Sequence, residues 1–341
     1  MAAKRIGVRT GMGKTAAETT ATLEKLRVAE DVGVESVWTA EAWGLDAFTF
    51  LTAAALHTRR LGLATAIVNV FSRSAATLAM TAAAIDQLSG GRMILGLGSS
   101  GDQVVEHWHG VPFDRPLGRL REYVEIINMI LAGQPLHYDG RIFHLQRGFT
   151  LRDQAPVRSH IPIFVAAITP ASIRQTGAIA DGIIPIYWPK EQLPALRAEL
   201  DEGSVAAGRP AGAVAIAHQV NLYVVPDGAD EDERAAVWRQ AQAPVAYYIG
   251  RMGTFYAAML RRHGYEAEVE ASLAAWARRD AAGAAAAVSD RLLLATTLVG
   301  RVEECAEQMA ERAALGADLQ LISLPPGSPS ECGRTLERLL R

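Results

Sequence analysis

Eight times along 341 residues, a short run rich in Ile, Val and Leu gives way to a longer stretch with helical spacing. The apolar runs are residues 5–9, 36–39, 61–67, 93–97, 161–166, 182–186, 215–225 and 319–324. Between them the spacing predicts helices over 16–32, with Thr15 as its cap and Gly33 as its end, over 49–57, and over 75–88, stopped by Gly90–Gly91. Further helices are expected over 117–131, from Pro170 onward, and over 192–207, 300–315 and 330–340. Runs without polar alternation are buried on both faces, which means parallel pairing beneath helices. Eight such units predict closure into an α/β fold of the (β/α)8 TIM-barrel type rather than an open sheet.

Two stretches interrupt the rhythm. Residues 102–160 carry a loop, an amphipathic helix and alternating residues around an Asp139–Gly140 turn, which predict a hairpin. Residues 229–290 are rich in Ala and Arg and read as a helical insertion without a clear strand. No linker rich in Pro, Gly or Ser divides the chain, so one domain over 1–341 is expected.

Composition narrows the possible partners. Net charge is −3, so there is no basic excess to meet a polyphosphate backbone, and nucleic acid is not an expected partner. The two cysteines, Cys305 and Cys332, make neither metal spacing nor a disulfide framework, which fits a reducing compartment. The N-terminal MAAKRIGVRTG has no apolar signal region and no window reaches the length of a bilayer span. The expected location is the cytoplasm.

Three short motifs suggest chemistry that their context does not support. VRTGMGKT (8–15) nearly matches a phosphate-binding loop, but its first position is Val8 and no apolar strand ends in the Asp that would hold Mg²⁺. The expected structure is a loop leading into a Thr-capped helix. GLGSSG (96–101) follows the fourth run, whereas a dinucleotide fold places its glycines at the first turn. It still marks a close approach of backbone at a strand's C-terminal end. His107-x-His109 falls in a loop beside Trp108, where residues two apart do not share a face, and no metal is expected there.

Four stretches together resemble the luciferase-like superfamily, in its branch of F420-dependent reductases and dehydrogenases. They are GVESVWTAEAW (33–43), ATAIVNVFSRSAATLAMTAAAIDQLSGGRMILGLGSSG (64–101), FVAAITPASIRQTGAIADGII (164–184) and GRVEECAEQMAERAALGADLQLISL (300–324). The 64–101 block is the most specific of them. The resemblance implies a barrel whose active site lies at the C-terminal ends of the strands. It implies coenzyme F420 as hydride carrier, with FMN as the alternative, a small organic substrate, and a homodimer.

Carried over by position, the resemblance puts a non-proline cis peptide at Ala66–Ile67, backing the deazaflavin ring. Asn69 takes the place that bonds the ring's polar edge, and Ser99 and Ser100 line the cofactor. Ile168, Thr169, Ala171 and Ser172 would hold the phosphate. Residue chemistry agrees at this last point, since Thr169 suits an N-cap and Pro170 the first helical position, leaving N–H groups free for an anion. Glu41 matches a cofactor-contacting acid, and Glu41, Glu106 and His107 are the candidates for moving a proton. Trp43, Phe71, Trp108, Tyr187 and Trp188 would form an apolar wall for substrate. The sugar-phosphate dehydrogenases of the family place a catalytic His where this chain has Ala42, and their substrate-phosphate Lys aligns near Pro189, one residue from Lys190. Sugar-phosphate oxidation is therefore not expected. A cofactor-free binding barrel and a nucleotide hydrolase dependent on Lys14 are the readings from other classes.

Overall fold

Strands whose two faces are both apolar must be covered on both, and here they achieve this by closing on themselves. The computed structural model describes residues 4–154 and 156–341. In it β1 (Ile6–Arg9), β2 (Ser36–Thr39), β3 (Gly62–Thr65), β4 (Met93–Gly98), β5 (Ile163–Val165), β6 (Gly182–Ile183), β7 (Ala215–Val224) and β8 (Leu319–Ser323) pair in parallel in that order. β8 returns to β1, with Gln320 opposite Ile6, and the ring is closed. The (β/α)8 barrel read from the sequence is the fold observed.

Alternation along each strand divides the core in two. Outward residues such as Val8, Val37, Leu63, Leu95, Ile163 and Ile322 join one cluster with the surrounding helices. Inward residues form a separate plug of Trp38, Ala64, Phe164, Ile184, Ala217, Leu319 and Leu321. Trp38 and Phe164 meet edge to face with ring centroids 5.3 Å apart. Glycines make room for both rings. A Cβ on Gly7 would come 2.7 Å from Trp38 Nε1, and one on Gly182 would come 2.1 Å from Phe164 Cε1. The plug fills the barrel interior beneath its C-terminal mouth.

The interruptions take definite form. Strands Leu136–Asp139 and His144–Phe149 make the expected antiparallel hairpin. The buried Glu122 carboxylate on helix Pro116–Leu131 fastens it, accepting from Arg141 N at 2.8 Å and Phe143 N at 2.9 Å. Helices Glu231–Arg251, Phe255–Arg262, Glu266–Ala277, Ala281–Ala286 and Asp290–Thr296 occupy the later region. A strand over Thr297–Gly300 was not anticipated from sequence. It pairs with the upper half of β7, Asn221 to Val224, outside the ring. It follows a helix with no intervening turn residue, so its four residues give no separate signal. Among the described residues, no helix is long and apolar enough to cross a membrane.

Candidate active site

The mouth is shaped by an irregularity between β3 and β4. Ala64 lies opposite Ile94, yet Val68, in a two-residue strand, lies opposite Leu97, so one extra residue is held between them. The interrupted ladder is bridged by the Thr65 hydroxyl, which donates to Gly96 O and accepts from Gly96 N, both at 2.8 Å. Within this bulge the Ala66–Ile67 peptide is cis, at the position the family resemblance indicated. Gly96 sits so near that a Cβ would come 1.8 Å from Thr65 O. Ala64, Ala66, Gly96, Gly98 and Ala166 carry at most a methyl group on this side of the mouth, and the Ile67 side chain lies against Gly98, its Cγ1 3.0 Å from where a Cβ would stand. The result is a shelf of backbone, methyl groups and the Ile67 side chain.

Asn69 stands at the edge of the shelf, buried. Its Oδ1 accepts from Phe71 N at 2.9 Å and Ser72 N at 2.8 Å, which leaves Nδ2 to donate to His109 Nε2 at 3.2 Å. Neutral His109 therefore carries its proton on Nδ1. The stretch read as a loop is in part helical, since His107 ends helix Asp102–His107 and only His109 lies in the loop beyond it, drawn to the shelf. His107 is exposed and without a hydrogen-bond partner among the described residues. Glu106, also exposed, accepts from Phe113 N at 3.2 Å.

Glu41 is committed elsewhere. Its carboxylate pairs with Arg73 and accepts from Ala47 N at 3.0 Å, while Arg73 also holds Asp46. The group is a strut between the loops after β2 and β3, and both carboxylate oxygens are occupied. Lys190 is likewise spent on a pair with Glu311.

Helix Pro170–Ile179 opens beyond β5 as its sequence suggested. Thr169 accepts from Ser172 N at 3.2 Å and Ser172 Oγ accepts from Thr169 N at 3.0 Å, a complete capping box. Both hydroxyls are engaged in it. Pro170 has no N–H, and the exposed Ala171 has one without a partner among the described residues. Arg262, from helix Phe255–Arg262, donates to Ile168 O at 2.9 Å and so brings a cation to the same helix start. Ser99 and Ser100 are half-buried at the end of β4, with Ser100 in the left-handed region at φ 59°.

The facing side of the mouth is polar and aromatic. Arg9 and Ser323 end β1 and β8, and Asn221 is the first residue of β7 beyond its pairing with β8. The Tyr187 hydroxyl accepts from Asn221 Nδ2 at 2.9 Å, and its ring lies 4.6 Å from that of Tyr248, which lies 4.8 Å from Tyr256. The five aromatics expected to form one apolar wall do not do so. Tyr187 belongs to this cluster, but Trp188 points the other way and is 1% exposed. It packs on His263 at 4.7 Å, and its carbonyl accepts from His218 Nε2 at 3.0 Å. Tyr187 sits in the left-handed region at φ 53°, and this turn in the backbone after β6 separates the two side chains. Phe71 is buried against Phe113 at 5.3 Å and under the Arg119 guanidinium at 4.7 Å. Trp43 and Trp108 stand exposed on separate rim loops.

The residues missed from sequence are Arg9, Arg73, His109, Tyr248 and Arg262. Only Arg9 had a usable signal, being a charged residue that ends an otherwise apolar strand at the active-site end of a barrel. In the loop that nearly matches a phosphate-binding motif, Lys14 N donates to Glu18 Oε2 at 2.7 Å.

Known proteins agree with this architecture. A Mycobacterium tuberculosis protein provisionally named a coenzyme F420-dependent oxidoreductase is 34% identical over 316 residues, which is 88% of this chain and 89% of that protein. The 5,10-methylenetetrahydromethanopterin reductase of Archaeoglobus fulgidus is 26% identical over 309 residues, 89% of each chain. The structure of the coenzyme F420 dependent tetrahydromethanopterin reductase from Methanopyrus kandleri has the same fold, with a TM-score of 0.80 at 21% identity, covering 100% of this chain and 98% of that one. The model of the luciferase-like monooxygenases matches residues 5–319, and the chain belongs to that family.

Proposed function

We propose that the protein is an F420-dependent oxidoreductase, moving a hydride between C5 of the deazaflavin and an electrophilic carbon (C=C, C=N or C=O) of a small organic substrate. The observation that carries this is the shelf. Ala66–Ile67, Gly96 and Gly98 offer a surface of backbone and small aliphatic groups, beside a helix start where the Ala171 N–H has no partner among the described residues. A planar ring and a phosphate fit those two features together. The name of the Mycobacterium tuberculosis relative supports the same cofactor.

Coenzyme F420, when bound, supplies the hydride chemistry. The protein's contributions are orientation and proton management. Ala66 and Ile67 back the ring, Ser99 and Ser100 flank it, and Ile168, Thr169, Ala171 and Ser172 frame the phosphate with help from the Arg262 charge. His109, rather than Glu41, Glu106 or His107, is the group at the mouth able to hold and deliver a proton, from Nδ1. Asn69 fixes its orientation rather than meeting the ring. Arg73 and Glu41 keep the two rim loops in register. On this reading the chain is one barrel domain over 1–341 with insertions at 102–160 and 229–290, working as a cytoplasmic homodimer. The buried free thiols Cys305 and Cys332 support the reducing compartment.

The test is parallel titration of the purified protein with F420 and with FMN, by fluorescence or calorimetry. Tight F420 binding with negligible FMN binding supports the proposal. Binding of FMN alone moves the protein to the monooxygenases, and binding of neither leaves a barrel without these cofactors.

A further inference from the structure

Arg9 faces into the barrel, two residues beyond Gly7 on the same strand, on the side of the mouth opposite the shelf. Its guanidinium is held along one edge only. Nε donates to Leu321 O at 3.2 Å, and Nη2 donates to Asn221 Oδ1 and to Ser323 Oγ, the latter at 3.3 Å. Nη1 has no partner among the described residues, and none of their carboxylates pairs with this arginine. Its neighbours in charge are three tyrosines, Tyr187, Tyr223 and Tyr248, kept neutral because burial raises their pKa.

A cation in such surroundings is costly. Burial lowers the proton affinity of Arg9, and the nearby phenols offset it only weakly. Buried charges are ordinarily paired or fully hydrogen-bonded. Arg312 approaches the second solution within this same fold, although its Nε has no partner among the described residues. It is wholly buried without a carboxylate, but it donates to the carbonyls of Leu294, Ala295, Thr297 and Gln308 around the end of helix Asp290–Thr296. Arg9 has no such set. It is half-buried, with an N–H edge and a charge that meet no partner and no carboxylate among the described residues.

We infer that Arg9 is an anion-recognition residue of the substrate site, and that the substrate carries a carboxylate which pairs with its free edge. Guanidinium and carboxylate match in shape and make strong charge-assisted hydrogen bonds. Asn221 and Ser323 fix the guanidinium plane, and the tyrosine rings give the substrate's carbon skeleton an apolar wall. Anchored there, a small unsaturated acid spans from Arg9 toward the shelf. The direction of that span rests on the F420 proposal; the acid site does not.

The experiment uses F420-loaded protein and calorimetric titration with crotonate, cinnamate and sorbate, each beside its methyl ester. At least one acid should bind about tenfold or more tightly than its ester, an order set by one charge-assisted pair. Arg9→Gln should abolish that preference, and Arg9→Lys should keep part of it. Both variants should bind F420 as the wild type does and melt as folded proteins. The inference is overturned if no acid is preferred to its ester, or if the preference survives in Arg9→Gln. It is also overturned if Arg9→Gln weakens F420 binding and leaves the acids untouched, which would assign the charge to the cofactor. If the wild type fails to bind F420, the functional proposal fails on its own, and the same titrations of the cofactor-free protein still decide on Arg9.

Discussion

Replacing Gly96 by Ala should damage both stability and cofactor binding, by amounts that follow from the bulge. The new Cβ would stand 1.8 Å from Thr65 O and 2.8 Å from Thr65 C, and both are backbone atoms that no rotamer change can move. Restoring ordinary contact requires a shift of about 1.6 Å between β3 and β4. A shift of that size breaks both Thr65 hydroxyl bonds, worth about 0.5–1.5 kcal/mol each. Overpacking adds about 1–3 kcal/mol. The sum is about 2–6 kcal/mol, and with an unfolding entropy of about 2.1 cal/mol/K per residue the melting temperature should fall by about 3–8 °C. The shelf moves with Thr65, so F420 binding should weaken about tenfold or more. Gly101→Ala is the control, because a Cβ there meets nothing within 4 Å. Calorimetric melting and F420 titration of the two variants decide the matter. If Gly96→Ala melts within about 1 °C of the wild type, the bulge is not held as described.

Three further outcomes are expected. His109→Gln should lower kcat about 100-fold while the F420 dissociation constant stays within about twofold, and an unchanged kcat would remove His109 from proton transfer. His218 is pushed down to about 3 by burial and by the nearby Arg312 charge, well below its ordinary value. A lowered histidine stabilises the fold above its unfolded pKa and loses that contribution as pH falls, so stability should decline below about pH 6.5 with a slope near 1.4 kcal/mol per pH unit from this group. His218→Gln should flatten that slope between about pH 6.5 and 5, and identical slopes in chemical denaturation would refute the assignment. Lys14→Ala should leave F420 binding and melting unchanged, and any lost affinity would return the loop after β1 to consideration as a phosphate site.

The barrel was legible because each strand is a continuous apolar run, a pattern that few arrangements other than a covered parallel sheet can satisfy. The capped start of helix Pro170–Ile179 was legible for a similar reason, as Thr169 and Pro170 act locally. What lay beyond reach was the choice among near neighbours. His107 and His109 look alike in sequence, and only the contact with Asn69, 40 residues away, separates them. Tyr187 and Trp188 are adjacent aromatics, and the left-handed backbone at Tyr187, which no sequence signal announces, sends them apart. Glu41 was rightly found at a strand end, but its pairing with Arg73 depends on how two loops meet. Tyr248 and Arg262 reach the mouth from helices whose sequence says which face is apolar, not which barrel edge they cover.

The most direct test of the whole account is a crystal structure of the protein with F420. The expected result has the deazaflavin lying against Ala66–Ile67, its phosphate at Ala171 N–H, and its reacting face turned toward Arg9 and Tyr187. A cofactor bound instead at the Lys14 loop, or in the groove between helix Pro116–Leu131 and the hairpin, would contradict it.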